Sequence, residues 1–448
     1  MMSRSTSLLA SGVLWLLACG GEAPRDGEPD AAAAQSSTPT SAMGPQVDTL
    51  PGGVIRVTNR SPVDSGKWSL VLDRTIQPPD DDPGELRTPT GMVLLDDGSL
   101  IVADQNPAQI RRYDSQGRFA GAIGRDGEGP GEYRSPMLGM RGDTLVVHDP
   151  SLSRTNLFSL STGKLLAIYR GTPRSSSPIG IDGSGRIVMP IPLSWPTAPG
   201  ATMQNGFVRL TLDGRRTDTL KLPAYLARNR MWHVDVGGRT RVGLHVPLQP
   251  DQLDIADLAG GFLIGSTASA TVVASRNGRD TTMLFSRPQD ARPVTRAEKE
   301  RILDRIVEQF ARHTERNPGS PLDVPESALR SAFRLSDMPD ARPVYDELSV
   351  DGRGRRWLRR DEMDPTTIRF DLFDRDGRWL DIVSIPAERW IPRERAMNDP
   401  YVRLPAWASD RVAIPVEDAE GAMAIQIYRI VRAGGRRRKK CGGNNGDE

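Results

Sequence analysis

The chain has 448 residues, and its 59 Lys and Arg are met by 57 Asp and Glu. A formal net charge of +2 gives no general attraction for a polyanion, which sets nucleic-acid binding aside. The two cysteines, Cys19 and Cys441, exclude a disulfide framework and a cysteine zinc site if Cys19 is modified at the N-terminus.

In chain order the first element is an export signal. Arg4 precedes the apolar run LLASGVLWLL, Leu8 to Leu17, which has the length of a signal-peptide core and is too short to span a bilayer. Leu16-Leu17-Ala18-Cys19 follows, with Gly20 and Gly21 behind it. This resembles the lipobox of bacterial lipoproteins. The resemblance implies removal of residues 1–18, acylation of Cys19 and attachment to a bacterial membrane, with the domain outside the cytoplasm. Residues 19–50 begin with a stretch rich in Gly, Pro, Ala, Ser and Thr that cannot bury enough surface to order itself, so a tether is expected there. No later stretch reaches the roughly eighteen apolar residues of a membrane-spanning helix.

From residue 51 to 433 a unit recurs: a short apolar strand, an Asp-Gly or Gly-x-Gly turn, a second strand, a spacer, and a third strand ending in another such turn. Its clearest copy runs from Gly91 through Asp96-Asp97-Gly98 to Asp104, then from Ile110 through Asp114-Ser115-Gln116-Gly117 to Gly124. Looser copies cover 137–170, 179–214, 258–286, 347–386 and 411–431. Six such units predict an all-β, six-bladed β-propeller, in which closing the ring removes the exposed sheet edges. The sixth unit is one strand short, and Val54–Thr58 or Trp68–Leu72 is expected to complete it.

The run Asp-Gly-x-Leu-x-Val-x-Asp, Ile-x-x-Tyr-Asp-x-x-Gly and Ile-Gly-x-x-Gly-x-Gly-Pro-Gly-Glu resembles an NHL-type blade, and the whole chain resembles six-bladed propeller lipoproteins of environmental bacteria. Between the fourth and fifth units, about 294–335, the pattern changes to a helical insertion. Thr295 and Glu298 form a capping box, and Ile302, Leu303, Ile306, Val307 and Phe310 repeat on one helix face. It is expected to pack over a face or the rim. Residues 434–448 form a basic tail that includes Cys441.

Several constellations bear on chemistry. The glycine string Gly124 to Glu132 lacks the Lys-Ser or Lys-Thr of a phosphate loop and carries three carboxylates, so an inter-blade connection is expected. Asp374-Arg375-Asp376-Gly377 lacks the remaining calcium-loop ligands and reads as a turn. No Gly-x-Ser-x-Gly elbow is present. The resemblance to NHL-like lyases and lactonases implies a channel metal, Ca or Zn, at the inner ends of several blades. Asp104, His148 and Asp149, each after an apolar strand expected to be innermost, and His245 are the candidates. Two functions follow: an envelope-anchored binding or scaffold module for a protein, peptide or glycan, or a metal-dependent lyase or hydrolase with its site in the channel.

Overall fold

The strands owe their burial to period-two alternation, with each inner strand feeding two neighbouring cores. In Leu100–Gln105, Leu100 and Val102 point to one side while Ile101 and Ala103 point to the other, and all four are at most 2 % exposed. The computed structural model describes residues 44–434 except 106, 172–179, 183, 195–201, 212, 214, 224, 227–230, 237–239, 258–259, 290–291, 317–323, 361–365, 387–404 and 418–421. Cys19, most of the tether and the basic tail with Cys441 lie outside the described residues.

Six antiparallel blades follow one another. The first is Pro89–Leu94, Leu100–Gln105, Ala108–Tyr113 and Phe119–Ile123. The second is Met137–Arg141, Thr144–Asp149, Arg154–Ser159 and Leu165–Arg170. Gly180–Ile181, Ile187–Ser194, Thr202–Leu210 and Arg216–Lys221 make the third. Gln252–Asp257, Gly261–Ser266, Thr271–Ser275 and Met283–Ser286 make the fourth. The fifth is Tyr345–Val350, Arg356–Arg360, Thr367–Phe373 and Trp379–Pro386. The sixth takes Ala406–Trp407, Arg411–Glu417 and Met423–Arg432 from the C-terminal end and Trp68–Ile76 from the N-terminal end. An apolar core straddles every pair of neighbours. The one joining the sixth blade to the first contains Ile425 and Ile427 together with Leu100 and Val102, so the ring is closed.

One of two expected alternatives is settled and two sequence expectations are corrected. Trp68–Ile76 completes the sixth blade, whereas Val54–Thr58 pairs in parallel with Met283–Ser286 at the rim of the fourth. Gln46–Leu50, expected to belong to the tether, instead pairs with Val54–Thr58 as a hairpin. The fourth unit begins at Gln252, earlier than the glycine turn suggested.

The chain from Gln46 to Ile76 is thus a strap along the outer strands of three blades. After the fourth blade, the N–H groups of Val63 and Asp64 donate to the carbonyls of Trp379 and Leu380 in the fifth, at 2.9 and 2.8 Å. The buried Asp381 carboxylate accepts from the N–H of Gly66 at 3.0 Å and of Trp68 at 2.8 Å. The strap then enters the sixth blade.

The recurring Asp-x-x-Gly-Arg turns have one geometry. The Asp114 carboxylate accepts from the N–H of Gln116 and Arg118 and from Arg118 Nε. Asp182 and Asp351 repeat the pattern with Arg186 and Arg355. The glycine takes a left-handed backbone, φ 82° at Gly117 and 76° at Gly354, where a side chain would be strained. Asp374 closes its turn in the same way on the N–H of Asp376 and Arg378. The glycine string joins the first blade to the second, with Arg125–Asp126 pairing in parallel with Glu132–Tyr133.

Candidate functional site

An antiparallel blade sends its first-to-second and third-to-fourth turns to one face of the ring. Its second-to-third loops and its connections to the next blade go to the other. All four Asp-x-x-Gly-Arg turns therefore lie on the first face. The second face receives the long connections on either side of the fourth blade, and these two segments build a common layer. The hairpin Met231–Val236 and Thr240–His245 comes from the first connection. Helices α1, Arg296–Arg316, and α2, Glu326–Ala332, come from the second.

This layer has its own core, in which Trp232, Val234 and Val246 pack with Ile302, Ile306, Phe310, Leu329 and Phe333. Trp232 stacks on Phe333 with ring centroids 4.7 Å apart, and its Nε1 donates to Asp337 Oδ2 at 3.0 Å. The expected capping box is present at α1: Thr295 N–H donates to Glu298 Oε2 at 2.7 Å, and Glu298 N–H donates to Thr295 Oγ1 at 3.3 Å. No described helix is long and apolar enough to cross a membrane.

Asp104 and Asp149 stand at or next to the last residue of the second strands of their blades, one strand outward from the innermost position that the sequence suggested. Both are fully buried, and both hold the chain that enters their own blade. Asp104 accepts from the N–H of Arg87 and Thr88 at 2.9 and 2.7 Å, and its Oδ2 pairs with Arg111 Nη1 at 2.8 Å. Asp149 accepts from Arg134 N–H at 2.6 Å and from Leu152 N–H at 3.0 Å. His148 is also fully buried in the wall of the second blade, with Nδ1 3.2 Å from Thr155 Oγ1. His245 lies in the hairpin outside the six blades, where its backbone pairs with Met231. Among the described residues, no group of three or more His, Cys, Asp or Glu side chains stands close enough to hold a metal ion. The strand-end signal therefore found residues of equivalent position in two blades, and the structure engages those carboxylates in local bonds.

The residue the sequence reading missed is Asp254. It is partly buried on the innermost strand of the fourth blade, just after the inserted hairpin and on the helix-bearing side. Loss of water raises its carboxyl to about 6, and the nearby charge of Asp251 adds to the shift. A hydrogen bond from Asn205 of the third blade and one from Gln252 Nε2, at 3.4 Å, oppose it. The signal was a polar residue between Leu253 and Ile255 in an otherwise alternating strand, hidden because the repeat was started too late. Chemically, Asp254 can exchange a proton near pH 6, and the two carboxamides can bond a polar ligand.

A second polar cluster lies between the fourth and fifth blades. Asp371, fully buried, pairs with Arg287 Nε and, at 2.8 Å, with Arg360 Nη2. Arg287 Nε also donates to Tyr345 Oη at 2.8 Å. Burial and the Asp371 charge hold the Tyr345 hydroxyl well above its usual range, so it stays neutral. This cluster locks two blades together beneath the helix-bearing face.

The closed ring of six antiparallel blades, each built on four strands and two of them extended by further strands, defines the class: a six-bladed β-propeller with a helical layer on one face. No family model matches the sequence, and no curated protein matches it. Solved structures do. A Bacteroides fragilis protein described as exported is 12 % identical, with 85 % of this chain and 100 % of that chain covered and a TM-score of 0.45. Virginiamycin B lyase from Staphylococcus aureus is 11 % identical over 81 % of this chain and 99 % of its own, with a TM-score of 0.38. The β-propeller domain of a Myceliophteria thermophila protein is 10 % identical over 80 % and 99 %, with a TM-score of 0.33. The architecture itself rests on the sheet topology and the six inter-blade cores.

Proposed function

We propose that this chain is an envelope-anchored binding or scaffold module, held to a bacterial membrane by lipid on Cys19, with its helix-bearing face turned to a protein, peptide or glycan partner. The observation that carries the reading is the layer on that face. Two separate connections fold together there, with a core of their own around Trp232 and Phe333, and add a shaped surface beside the mouth of a closed ring. A ring whose sheet edges are paired or twisted is a rigid support for such a surface. The lipobox resemblance at Leu16 to Cys19 supports the anchor, and the NHL-like signature of the first blade supports a place among propeller lipoproteins.

Binding is tested by placing photo-crosslinking side chains in the expressing cell at the exposed Glu308 and Arg312 of α1, and at Arg118 and Asp376 on the opposite face. Adducts of defined mass at the α1 positions and none at the opposite positions are expected. Adducts confined to the opposite face, or none at either, would sink the reading. The anchor is tested separately. Cys19→Ala should move the cleaved protein from the membrane fraction to the soluble fraction, and a cleaved variant that stays with membranes would mean something other than lipid holds it.

A further inference from the structure

Asp104 in the first blade and Asp149 in the second each stand two residues after a valine. Each valine lies opposite a residue of the third strand: Val102 opposite Arg111, and Val147 opposite Asn156. Asn156 therefore holds in the second blade the place that Arg111 holds in the first. Arg111 is long enough to reach two partners, donating from Nη1 to Asp104 Oδ2 at 2.8 Å and from Nε to the Pro83 carbonyl at 3.1 Å. Asn156 keeps a bond to the entering chain, from Nδ2 to the Glu132 carbonyl at 3.2 Å. That bond fixes the amide's orientation, since a flipped amide would set oxygen against oxygen. Asn156 is fully buried, and among the described residues its Oδ1 has no hydrogen-bond partner.

In the second blade a cation stands two residues earlier, at Arg154, on the same side of the strand and directly opposite Asp149. Arg154 is 1 % exposed. Its Nη1 donates to the Glu128 carbonyl at 2.7 Å, and its Nη2 shares the Glu132 carbonyl with Asn156. It thus bonds backbone carbonyls where Arg111 bonds a carboxylate. Among the described residues its Nε also has no partner. One strand face therefore buries an unanswered donor beside an unanswered acceptor, and such groups are rarely left unpaired in a folded protein.

We propose that an ordered water molecule is bound between the first and second blades, accepting from Arg154 Nε–H and donating to Asn156 Oδ1. The chemistry of the two groups selects the ligand. An anion would accept from Arg154 but is repelled by the amide oxygen and by the Asp149 carboxylate on the same face. A cation would satisfy the oxygen and is repelled by the guanidinium. Water accepts and donates at once and carries no charge. It stands in the second blade for a guanidinium nitrogen of the first, and it joins the side chains that hold the Glu128 and Glu132 carbonyls.

The test is a crystal structure of the full chain, purified in detergent, at a resolution that shows ordered water. A density peak about 2.7–3.2 Å from both Arg154 Nε and Asn156 Oδ1 is expected. No peak there, or either atom bonded to protein instead, overturns the proposal. Crystals soaked in bromide separate the ligand classes: an anomalous peak at this position would make it an anion site and overturn the assignment. Asn156→Leu keeps the volume and removes the acceptor, so the peak should vanish. A peak that persists in that variant means Asn156 does not hold the water. The wild-type crystals decide the matter even if the variant fails to fold.

Discussion

The backbone N–H of Trp379 donates to Asn59 Oδ1 at 2.8 Å, joining the fifth blade to a residue 320 positions earlier in the chain. The same buried side chain donates from Nδ2 to the carbonyls of Ser286 and Gly377, at 2.8 and 2.9 Å. One carboxamide therefore uses both its oxygen and its nitrogen to tie the strap to two blades.

Asn59→Ala is expected to lower global stability by about 3 kcal/mol, because it leaves buried backbone groups without partners. Denaturant unfolding of the two proteins measures the difference. A change below about 0.5 kcal/mol would mean that the strap can detach without affecting the ring.

Asp104→Asn and Asp149→Asn should differ. The first leaves the 5 %-exposed Arg111 side chain without its buried counter-charge, a loss on the order of 3–5 kcal/mol. The second mainly weakens hydrogen bonds to backbone N–H groups, about 1–2 kcal/mol. Equal losses in parallel urea titrations would contradict the roles assigned to the two carboxylates.

Asp254 imposes a pH dependence of known sign. Its carboxyl is raised from 3.8 to about 6 in the folded protein. Between those values the folded state binds more protons than the unfolded state, so this group's contribution to stability falls as pH rises, then levels off above about 6. The amplitude is on the order of 2–3 kcal/mol. Asp280 acts oppositely: its carboxyl is lowered to about 2, with burial opposing and bonds from Arg276 and Ser275 prevailing, so its contribution is present above 3.8 and is lost as pH falls through about 2. Asp254→Asn should raise stability at pH 7.5 far more than at pH 4.5. Unfolding curves at the two pH values check this, and an equal change at both would refute it.

Trp232→Ala removes a stacked, buried ring from the helical layer, a loss of about 3–5 kcal/mol that should fall on that layer. Hydrogen exchange is expected to show loss of protection in α1 and α2, with blades one, two and six unchanged. Uniform loss across the ring would show that the layer and the propeller unfold as one unit.

Much of the architecture could be read directly from the sequence, because its determinants are local. Alternation in segments such as Leu100–Gln105, together with the aspartate and left-handed glycine of each turn, marks strands and hairpins wherever they occur. Thr295 and Glu298 marked the start of α1 for the same reason: the cap and the groups it satisfies lie within one turn. The two-faced burial of inner strands makes a ring of equivalent units the economical arrangement for such a pattern.

What only the tertiary structure decided depends on partners far away in the chain. Val54–Thr58 and Trp68–Ile76 are similar apolar strands, and nothing local says that one pairs with the outer strand of the fourth blade while the other closes the sixth. That choice is made by the edges they meet and by Asn59 and Asp381. The bonds that Asp104 and Asp149 make, to the chain entering their blades and to Arg111, follow from how each blade folds back on its own entry segment, which no local pattern records. Asp254 looked unremarkable until the third blade and the inserted hairpin surrounded it, because a carboxyl's proton affinity is set by the water it has lost and by the charges beside it.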